Sequence, residues 1–88
     1  MDKQKGQSIM LVIRRWEKVL FEGEVKAFTS SNERGVFDVL YTHANLISII
    51  NKKCTIHKVD GTTSDIKIEE GLVRVHENKV TVYLGLMA

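Results

Sequence analysis

The fold is decided by the segment Lys52–Ile68, which reads KKCTIHKVDGTTSDIKI. Asp60-Gly61 is a strong signal for a hairpin turn, and runs of strand length lie on both sides of it, at Lys52–Val59 and Thr63–Ile68. Ile66 and Ile68 are separated by one lysine, the two-residue spacing of a strand with one buried face. The segment therefore predicts an antiparallel β-hairpin.

The same signals recur on both sides of this hairpin. Further strands are predicted, from their apolar runs or two-residue alternation, at Ile9–Ile13, Val19–Phe21, Glu24–Thr29, Val36–Leu40, Leu72–His76 and Val80–Leu84. The apolar run Leu46–Ile50 is predicted to be another strand or one apolar turn. Residues 30–35 read as a loop, and Glu70-Gly71 and Glu77-Asn78 as turns. Because no long helical period is present, the prediction is an all-β fold, a flattened β-sandwich or small barrel of about eight to ten short, mostly antiparallel strands.

Length and composition limit what such a fold can do. The chain has 88 residues, 43% hydrophobic and 27% charged, which predicts one domain at 9–88 behind a frayed tail at 1–8. It contains no proline and one cysteine, so a disulfide framework and a four-cysteine zinc site are excluded. A domain this small has little room for an enclosed active site. Composition therefore favours a binding module over an enzyme.

Net charge and hydropathy bear on the partners and the location of the protein. The net charge of +2 is too small to imply a nucleic-acid partner by itself. The apolar run Ile9–Ile13 ends at Arg14, which is too short for a signal peptide or a membrane span. We expect a cytoplasmic protein that reaches a membrane only through a partner.

Candidate chemical groups are scattered. His43, His57 and His76 lie in different predicted elements without the spacing of a metal site, and Cys54 has no pattern of a nucleophile. We therefore expect no catalytic residues, no metal and no cofactor. Two non-enzymatic alternatives stay open: a nucleic-acid-binding barrel that uses Lys52, Lys53, Lys58 and Trp16, and a sandwich that binds another protein or itself.

Three segments together resemble one family. EKVLFEGEV at Glu17–Val25, GVFDVLYTHANL at Gly35–Leu46 and EGLVRVHENKVTV at Glu70–Val82 are similar, in order and spacing, to segments of the ε subunit of F-type ATP synthases, the δ subunit of mitochondria. The resemblance covers about residues 9–88. It implies a ten-stranded flattened β-sandwich without catalysis, which lies at the foot of the central stalk and couples rotation of the ion-driven c-ring to the γ subunit and the catalytic head.

Carried over residue by residue, the resemblance implies two surfaces. Arg15, His43, Ile47 and Ser48 would face the γ subunit. The loop nearest the c-ring would run from Glu33 to Asp38 and include Arg34, Gly35 and Val36. The membrane would be reached only through the complex, and no nucleic acid would be bound.

The chain also departs from the family pattern. Tyr41, Asn45 and Lys52 stand at positions where the family has proline, which predicts a more mobile loop and turn. Val36 occupies a position that is commonly acidic, and an acid follows two residues later at Asp38. No sequence for the family's inhibitory two-helix hairpin follows Leu84, so we expect this chain to lack that switch.

Overall fold

Strands make up most of the chain. A computed structural model describes residues 7–85 and contains seven strands in that range. They are β1 Ile9–Arg15, β2 Lys18–Val25, β3 Ala27–Asn32, β4 Gly35–Val39, β5 Leu46–His57, β6 Thr63–His76 and β7 Lys79–Leu84. The hairpin predicted around Asp60-Gly61 joins β5 to β6, and Lys58 and Thr62 close its turn by a backbone hydrogen bond of 2.8 Å. The predicted all-β fold is confirmed.

All seven strands belong to one sheet, in the order β2-β1-β7-β6-β5-β3-β4. Every neighbouring pair is antiparallel except β1 and β7. The long strands β5 and β6 each belong to two layers: their parts at 46–51 and 71–76 lie with β2, β1 and β7, while their parts at 52–57 and 63–68 lie with β3 and β4. We call these the first and the second layer, and the bend between them the crease.

A bulge in β6 forms the crease. Asn51 pairs with Glu70 and Lys52 with Ile68, so Glu69 is an extra residue without a partner on β5. An extra residue bends a strand and shifts the alternation by one position. The buried positions of β6 change accordingly, from Ile68 before the bulge to 71, 73 and 75 after it. The inward side chains therefore face one core on both sides of the bend.

That core is a single cluster to which every strand contributes. Its fully buried members include Leu11, Phe28, Ile50, Val73 and Val82, which come from five strands in both layers. A flat sheet would leave its apolar face in water, so this burial requires the two layers to close on each other. At the crease Gly71 makes the approach close enough, because a Cβ there would lie 2.8 Å from Leu84 Cδ2 and 2.9 Å from the Tyr83 carbonyl oxygen.

The number of strands differs from the prediction of eight to ten. The predicted strands at 46–50 and 52–59 are one strand, and so are those at 63–68 and 72–76. The turn predicted at Glu70-Gly71 is wrong, because the bulge lets β6 continue through these residues while bending it.

Two boundaries around β3 also differ. The strand predicted at 24–29 is interrupted by a bend at Lys26. Val25, Ala27 and Phe28 are all buried, which a single alternating strand could not achieve. The loop predicted at 30–35 is confined to the turn at residues 33–34. Ser30 and Ser31 lie in the strand, where their hydroxyls donate to the carbonyls of Lys53 at 2.8 Å and Asn51 at 2.9 Å and satisfy a gap in the β3–β5 ladder. Residues 1–6 of the predicted tail lie outside the described range.

Candidate interaction surface

The first half of β5 forms an open edge of the first layer. Residues 46–50 pair with β6 on one side, whereas pairing with β3 on the other side begins only at Asn51. This segment, Leu46–Ile50, is called the β5 edge below. Its side chains carry no charge, and Ile47 and Ile49 are 66% and 53% exposed. An uncharged, exposed edge of a sheet is a surface that favours pairing with another chain.

The tip of the β3–β4 hairpin lies beside this edge. Asn32, Glu33 and Arg34 line a groove of about 570 Å³ together with residues 46–49, Asn51 and Glu70. A hydrogen bond of 3.1 Å from Asn32 Nδ2 to Ser48 Oγ ties the tip to the strand. The structure therefore brings together four residues that the sequence placed on two separate surfaces: Ile47, Ser48, Glu33 and Arg34.

The main chain of the β5 edge is oriented toward this groove. The Asn51 carbonyl accepts a hydrogen bond from the Ser31 hydroxyl and so faces β3. Because the N–H and C=O of alternate strand residues point the same way, those of Ile49 and Ile47 face the groove. The Ile49 carbonyl accepts a hydrogen bond of 3.1 Å from its neighbour Ser48, and no strand within residues 7–85 pairs with this side of residues 46–50.

The remaining residues of the predicted ring-facing loop lie on the outer face of β4. Gly35 has a φ of 120°, which glycine tolerates far better than other residues. Val36 is 77% exposed, and Asp38 shares its face because the two are two residues apart in one strand. Asp38 therefore lies on the same face of β4 as Val36, the position that is commonly acidic in the resembled family.

Asp38 is held in place across three strands. The Thr29 hydroxyl donates to Asp38 Oδ1 at 2.6 Å and lies 2.8 Å from His57 Nε2. A hydroxyl has one hydrogen, so Thr29 must accept from His57, which therefore carries a proton on Nε2. The network links β4, β3 and β5 and fixes the direction of the Asp38 carboxylate.

The other two residues predicted to face a γ-type partner lie outside the β5 groove. Arg15 is exposed at the end of β1 and lines a separate groove of about 800 Å³ at the crease with Lys52, Lys67, Glu69 and Glu70. His43 is half-buried in the loop before β5, where its backbone N–H donates to the Leu40 carbonyl at 2.9 Å. The structure does not bring Arg15 and His43 together with Ile47.

Two asparagines fasten that loop to the β6–β7 turn. The Glu77 N–H donates to Asn45 Oδ1 at 3.0 Å, and the Thr42 N–H donates to Asn78 Oδ1 at 2.6 Å. Glu77 and Asn78 both have positive φ, as a tight hairpin turn of two residues requires. Asn45 thus supplies a cross-link at a position where the resembled family has proline, while the predicted mobility of the loop stays a prediction.

The residues of the nucleic-acid alternative do not form one patch. Lys52 and Lys53 lie next to the crease, whereas Lys58 lies at the far end of the strand, about 20 Å away at 3.3 Å per residue. Trp16 lies at the β1–β2 turn with its indole beside Gly85. A continuous basic and aromatic groove for a nucleic-acid strand is therefore not formed by these four residues.

Cys54 belongs to the hydrophobic core. Cys54 is buried, and burial raises the pKa of its thiol to about 11, although a contact with Ser30 opposes the shift. Residues 7–85 contain no cluster of three or more His, Cys, Asp or Glu side chains that could hold a metal ion. The same residues include no helix long and apolar enough to cross a membrane.

Three residues of the β5 edge and its groove are not among those predicted from the sequence: Ile49, Asn32 and Glu70. Ile49 is exposed on the β5 edge like Ile47. The sequence could have predicted this, because the two isoleucines are two residues apart in one apolar run and therefore share a face of the strand. Asn32 and Glu70 reach the groove only through the bend of the sheet. No local pattern identifies them, because they come from a hairpin tip and a bulge that are distant in sequence.

Comparison with known proteins places the whole described sheet in one family. Residues 8–84 match the family model described as ATP synthase, Delta/Epsilon chain, beta-sandwich domain. The chain is 38% identical over 64 residues to the ATP synthase epsilon chain of Sulfurovum sp. (strain NBC37-1), covering 72% of this chain and 50% of that one. It is 36% identical over 76 residues to the ATP synthase epsilon chain of Campylobacter fetus subsp. fetus, covering 85% and 59%.

Solved structures share the fold. A chain of the Euglena gracilis mitochondrial ATP synthase, in a structure of OSCP/F1/c-ring, superposes with a TM-score of 0.82 at 19% identity, over 88% of this chain and 50% of that chain. A chain of the Tetrahymena thermophila mitochondrial ATP synthase central stalk/c-ring gives a TM-score of 0.71 at 13% identity, over 85% and 61%. The chain spans about half the length of the curated relatives it matches.

Proposed function

The chain belongs to the β-sandwich domain family of ATP synthase delta/epsilon chains, and from this membership we propose that it acts as an ε-type central-stalk component of an F-type ATP synthase. In this role it links a γ-type stalk subunit to the c-ring and transmits rotation without catalysis. It requires no cofactor and reaches the membrane only through the complex, on the cytoplasmic side. Matches to ε chains over 72% and 85% of this chain support the proposal.

One structural observation carries the proposal: the β5 edge with its groove. A coupling component must bind a rotor subunit firmly, and the exposed Ile47 and Ile49 beside an open sheet edge provide apolar area and hydrogen-bonding groups for that purpose. We assign this edge, with Ile47 and Ser48, to the γ-type partner. Arg15 and His43 lie outside the groove and would contact the same partner only at the margin of the interface.

The test of the stalk role is binding of the 88-residue chain to the cognate γ subunit, measured by calorimetry or pull-down. We expect a 1:1 complex at micromolar concentration. Lack of a complex under these conditions contradicts the proposed function. An oligonucleotide titration run in parallel should be flat at physiological salt, since a nucleic-acid-binding barrel would bind single strands with a strong salt dependence.

The outer face of β4 is proposed to face the c-ring. Glu33, Arg34, Gly35 and Val36 lead along the hairpin to Asp38, and the bond from Thr29 holds that carboxylate in a fixed direction. An oriented acid suits a ring loop that carries basic residues. Asp38→Asn should weaken binding of a preformed complex with γ to purified c-rings about tenfold, while Glu77→Gln, at an exposed acid outside β4, should not. Equal binding by both variants would exclude Asp38 from the contact.

The two alternatives are distinguished by the same experiments. A sandwich that binds an unrelated protein would leave γ unbound, and a self-associating sandwich would show a mass that rises with concentration in light scattering. Absence of catalysis is likewise part of the proposal, because the described residues show no paired nucleophile and base from which a reaction could be argued.

A further inference from the structure

The open edges of the sheet differ in how they are protected. Natural sheets block exposed edges with charged side chains, bulges or short strands. β2 carries Lys18, Glu22 and Glu24 together with a bulge, the free edge of β6 at 63–68 carries Asp65 and Lys67, and β4 has only five residues, including Asp38. The segment Leu46–Ile50 has no charged side chain and no bulge, and it belongs to a long strand of 12 residues.

The β5 edge also presents a defined set of hydrogen-bonding groups. The N–H and C=O of Ile47 and Ile49 point into the groove, and the Ile49 carbonyl is capped by the Ser48 hydroxyl. Two N–H donors two residues apart repeat at the spacing with which an added strand presents its acceptors. Side-chain contact alone would not need this arrangement, whereas strand addition does.

The charges around the groove identify the kind of strand that fits. Its rim carries the carboxylates of Glu33 and Glu70 and the guanidinium of Arg34, which leaves a net negative charge. An added strand with apolar side chains and a basic residue complements this rim. A second copy of this chain would offer the uncharged segment Leu46–Ile50, which adds no positive charge to offset the excess carboxylate of the rim.

From these observations we infer that the β5 edge binds its partner by β-strand addition: an extended, apolar segment of the γ-type subunit with at least one basic residue pairs with Leu46–Ile50 in the groove beside Glu33 and Glu70. The added strand extends the first layer beyond β5. This inference rests on the proposed function and specifies how the partner is held, by main-chain pairing in addition to side-chain contact.

Proline at position 47 provides the sharpest test. Ile47→Pro removes the N–H that faces the groove but no bond between β5 and β6, since proline is tolerated at the outward side of an edge strand. Ile47→Val is the matched control, because it keeps the N–H and the β-branched side chain. We expect the proline variant to bind the cognate γ subunit about tenfold more weakly, the value of one lost hydrogen bond, and the valine variant to bind within about threefold of wild type.

Amide hydrogen exchange provides a second measurement that does not depend on a variant. In the complex with γ, the amides of Ile47 and Ile49 should become protected at least tenfold, while amides of the β2 edge at Glu22 and Glu24 should not change. Circular dichroism and a denaturation midpoint test whether the proline variant is folded. If it fails to fold, the exchange result alone decides the question.

The outcomes separate the two proposals. If the wild-type chain does not bind γ, the proposed function fails. If it binds γ while the amides of Ile47 and Ile49 stay unprotected, or a folded Ile47→Pro binds as tightly as wild type, strand addition is overturned and the stalk role stands. Protection that appears in the isolated chain and increases with its concentration would make a second copy the occupant and would also overturn the inference.

Discussion

The two edges of the first layer, β2 and the β5 edge, differ in whether charges and a bulge protect them from pairing with another strand. β2 exposes Val19 and Leu20, yet a bulge and the charges of Lys18, Glu22 and Glu24 interrupt its edge. The β5 edge exposes Ile47 and Ile49 in a regular, uncharged strand. Similar apolar exposure therefore has different consequences, because pairing requires a regular row of free backbone groups and not only apolar side chains. One edge is suited to solvent and the other to a partner.

The crease on which the open edge depends should be the most sensitive part of the molecule. Gly71→Ala would place a Cβ 2.8 Å from Leu84 Cδ2 and 2.9 Å from the Tyr83 carbonyl oxygen, so β7 would have to move. We expect a loss of about 1–3 kcal/mol in the free energy of unfolding, measured by urea denaturation. Gly23→Ala on β2 is the matched control, since its Cβ would meet only Phe21 Cζ at 3.9 Å. Equal effects of the two substitutions would refute the importance of the close approach at the crease.

Removing the protection of β2 should make the two edges alike. The double substitution Glu22→Val and Glu24→Val leaves an exposed strand with Lys18 as its one remaining charge. We expect the variant to associate in a concentration-dependent manner, measured by light scattering, at concentrations where Glu22→Asp with Glu24→Asp, which keeps both charges, stays at the wild-type mass. A variant that remains at the wild-type mass would show that the two glutamates are not needed to protect this edge.

Loss of the hydrogen bond that holds the loop before the β5 edge should have a moderate effect on the free energy of unfolding. Asn45→Ala removes the acceptor for the Glu77 N–H and should lower the free energy of unfolding by about 1 kcal/mol. Asn45→Asp keeps an acceptor oxygen and should remain closer to wild type in the same urea titration. A loss as large for aspartate as for alanine would indicate that the hydrogen bond is not what stabilises the loop.

Substitution of Asp65, on the free edge of β6, should have the smallest effect on stability, and that effect should depend on pH. The hydrogen bond from the Thr55 hydroxyl, followed by the Lys53 ammonium 3.6 Å away, lowers the pKa of Asp65 below its usual value. A carboxyl group with a lowered pKa in the folded state stabilises the protein above its unfolded pKa and loses that contribution as the pH falls through the folded value. Wild type should therefore melt higher than Asp65→Asn at pH 7, and the difference should close below about pH 4. A difference that persists at pH 2 contradicts this assignment.

Local patterns predicted a large part of this molecule. Asp60-Gly61 identified the hairpin, and the alternation in Val80–Leu84 identified β7, because turn chemistry and side-chain period are properties of short segments. The same patterns misread the crease as a turn. The bulge at Glu69 exists only in relation to the strand opposite it, and a single strand read alone shows merely a break in alternation.

The candidate surface divides in the same way. Ile47 and Ser48 were named from the resemblance, as was the hairpin from Glu33 to Asp38, but as two separate surfaces. The placement of Ile47 and Ser48 with Glu33 and Arg34 around one groove follows from the end of β3 pairing at Asn51, which no window of sequence contains. Ile49 and Glu70 join the surface for the same reason.

The sequence by itself determined the strands, the hairpin turns, the apolar side chains available for a core, and the resemblance to one family, because each depends on residues close together in the chain or on motifs in order. Only the tertiary structure decided which edge is left open. β5 and β6 bend at the crease, the partner strand changes along β5, and the five uncharged residues before Asn51 are left without a neighbour on one side in the described structure. Strand pairing is set by contacts between distant segments, so it is the fold that leaves an ordinary apolar run as an open edge of the sheet.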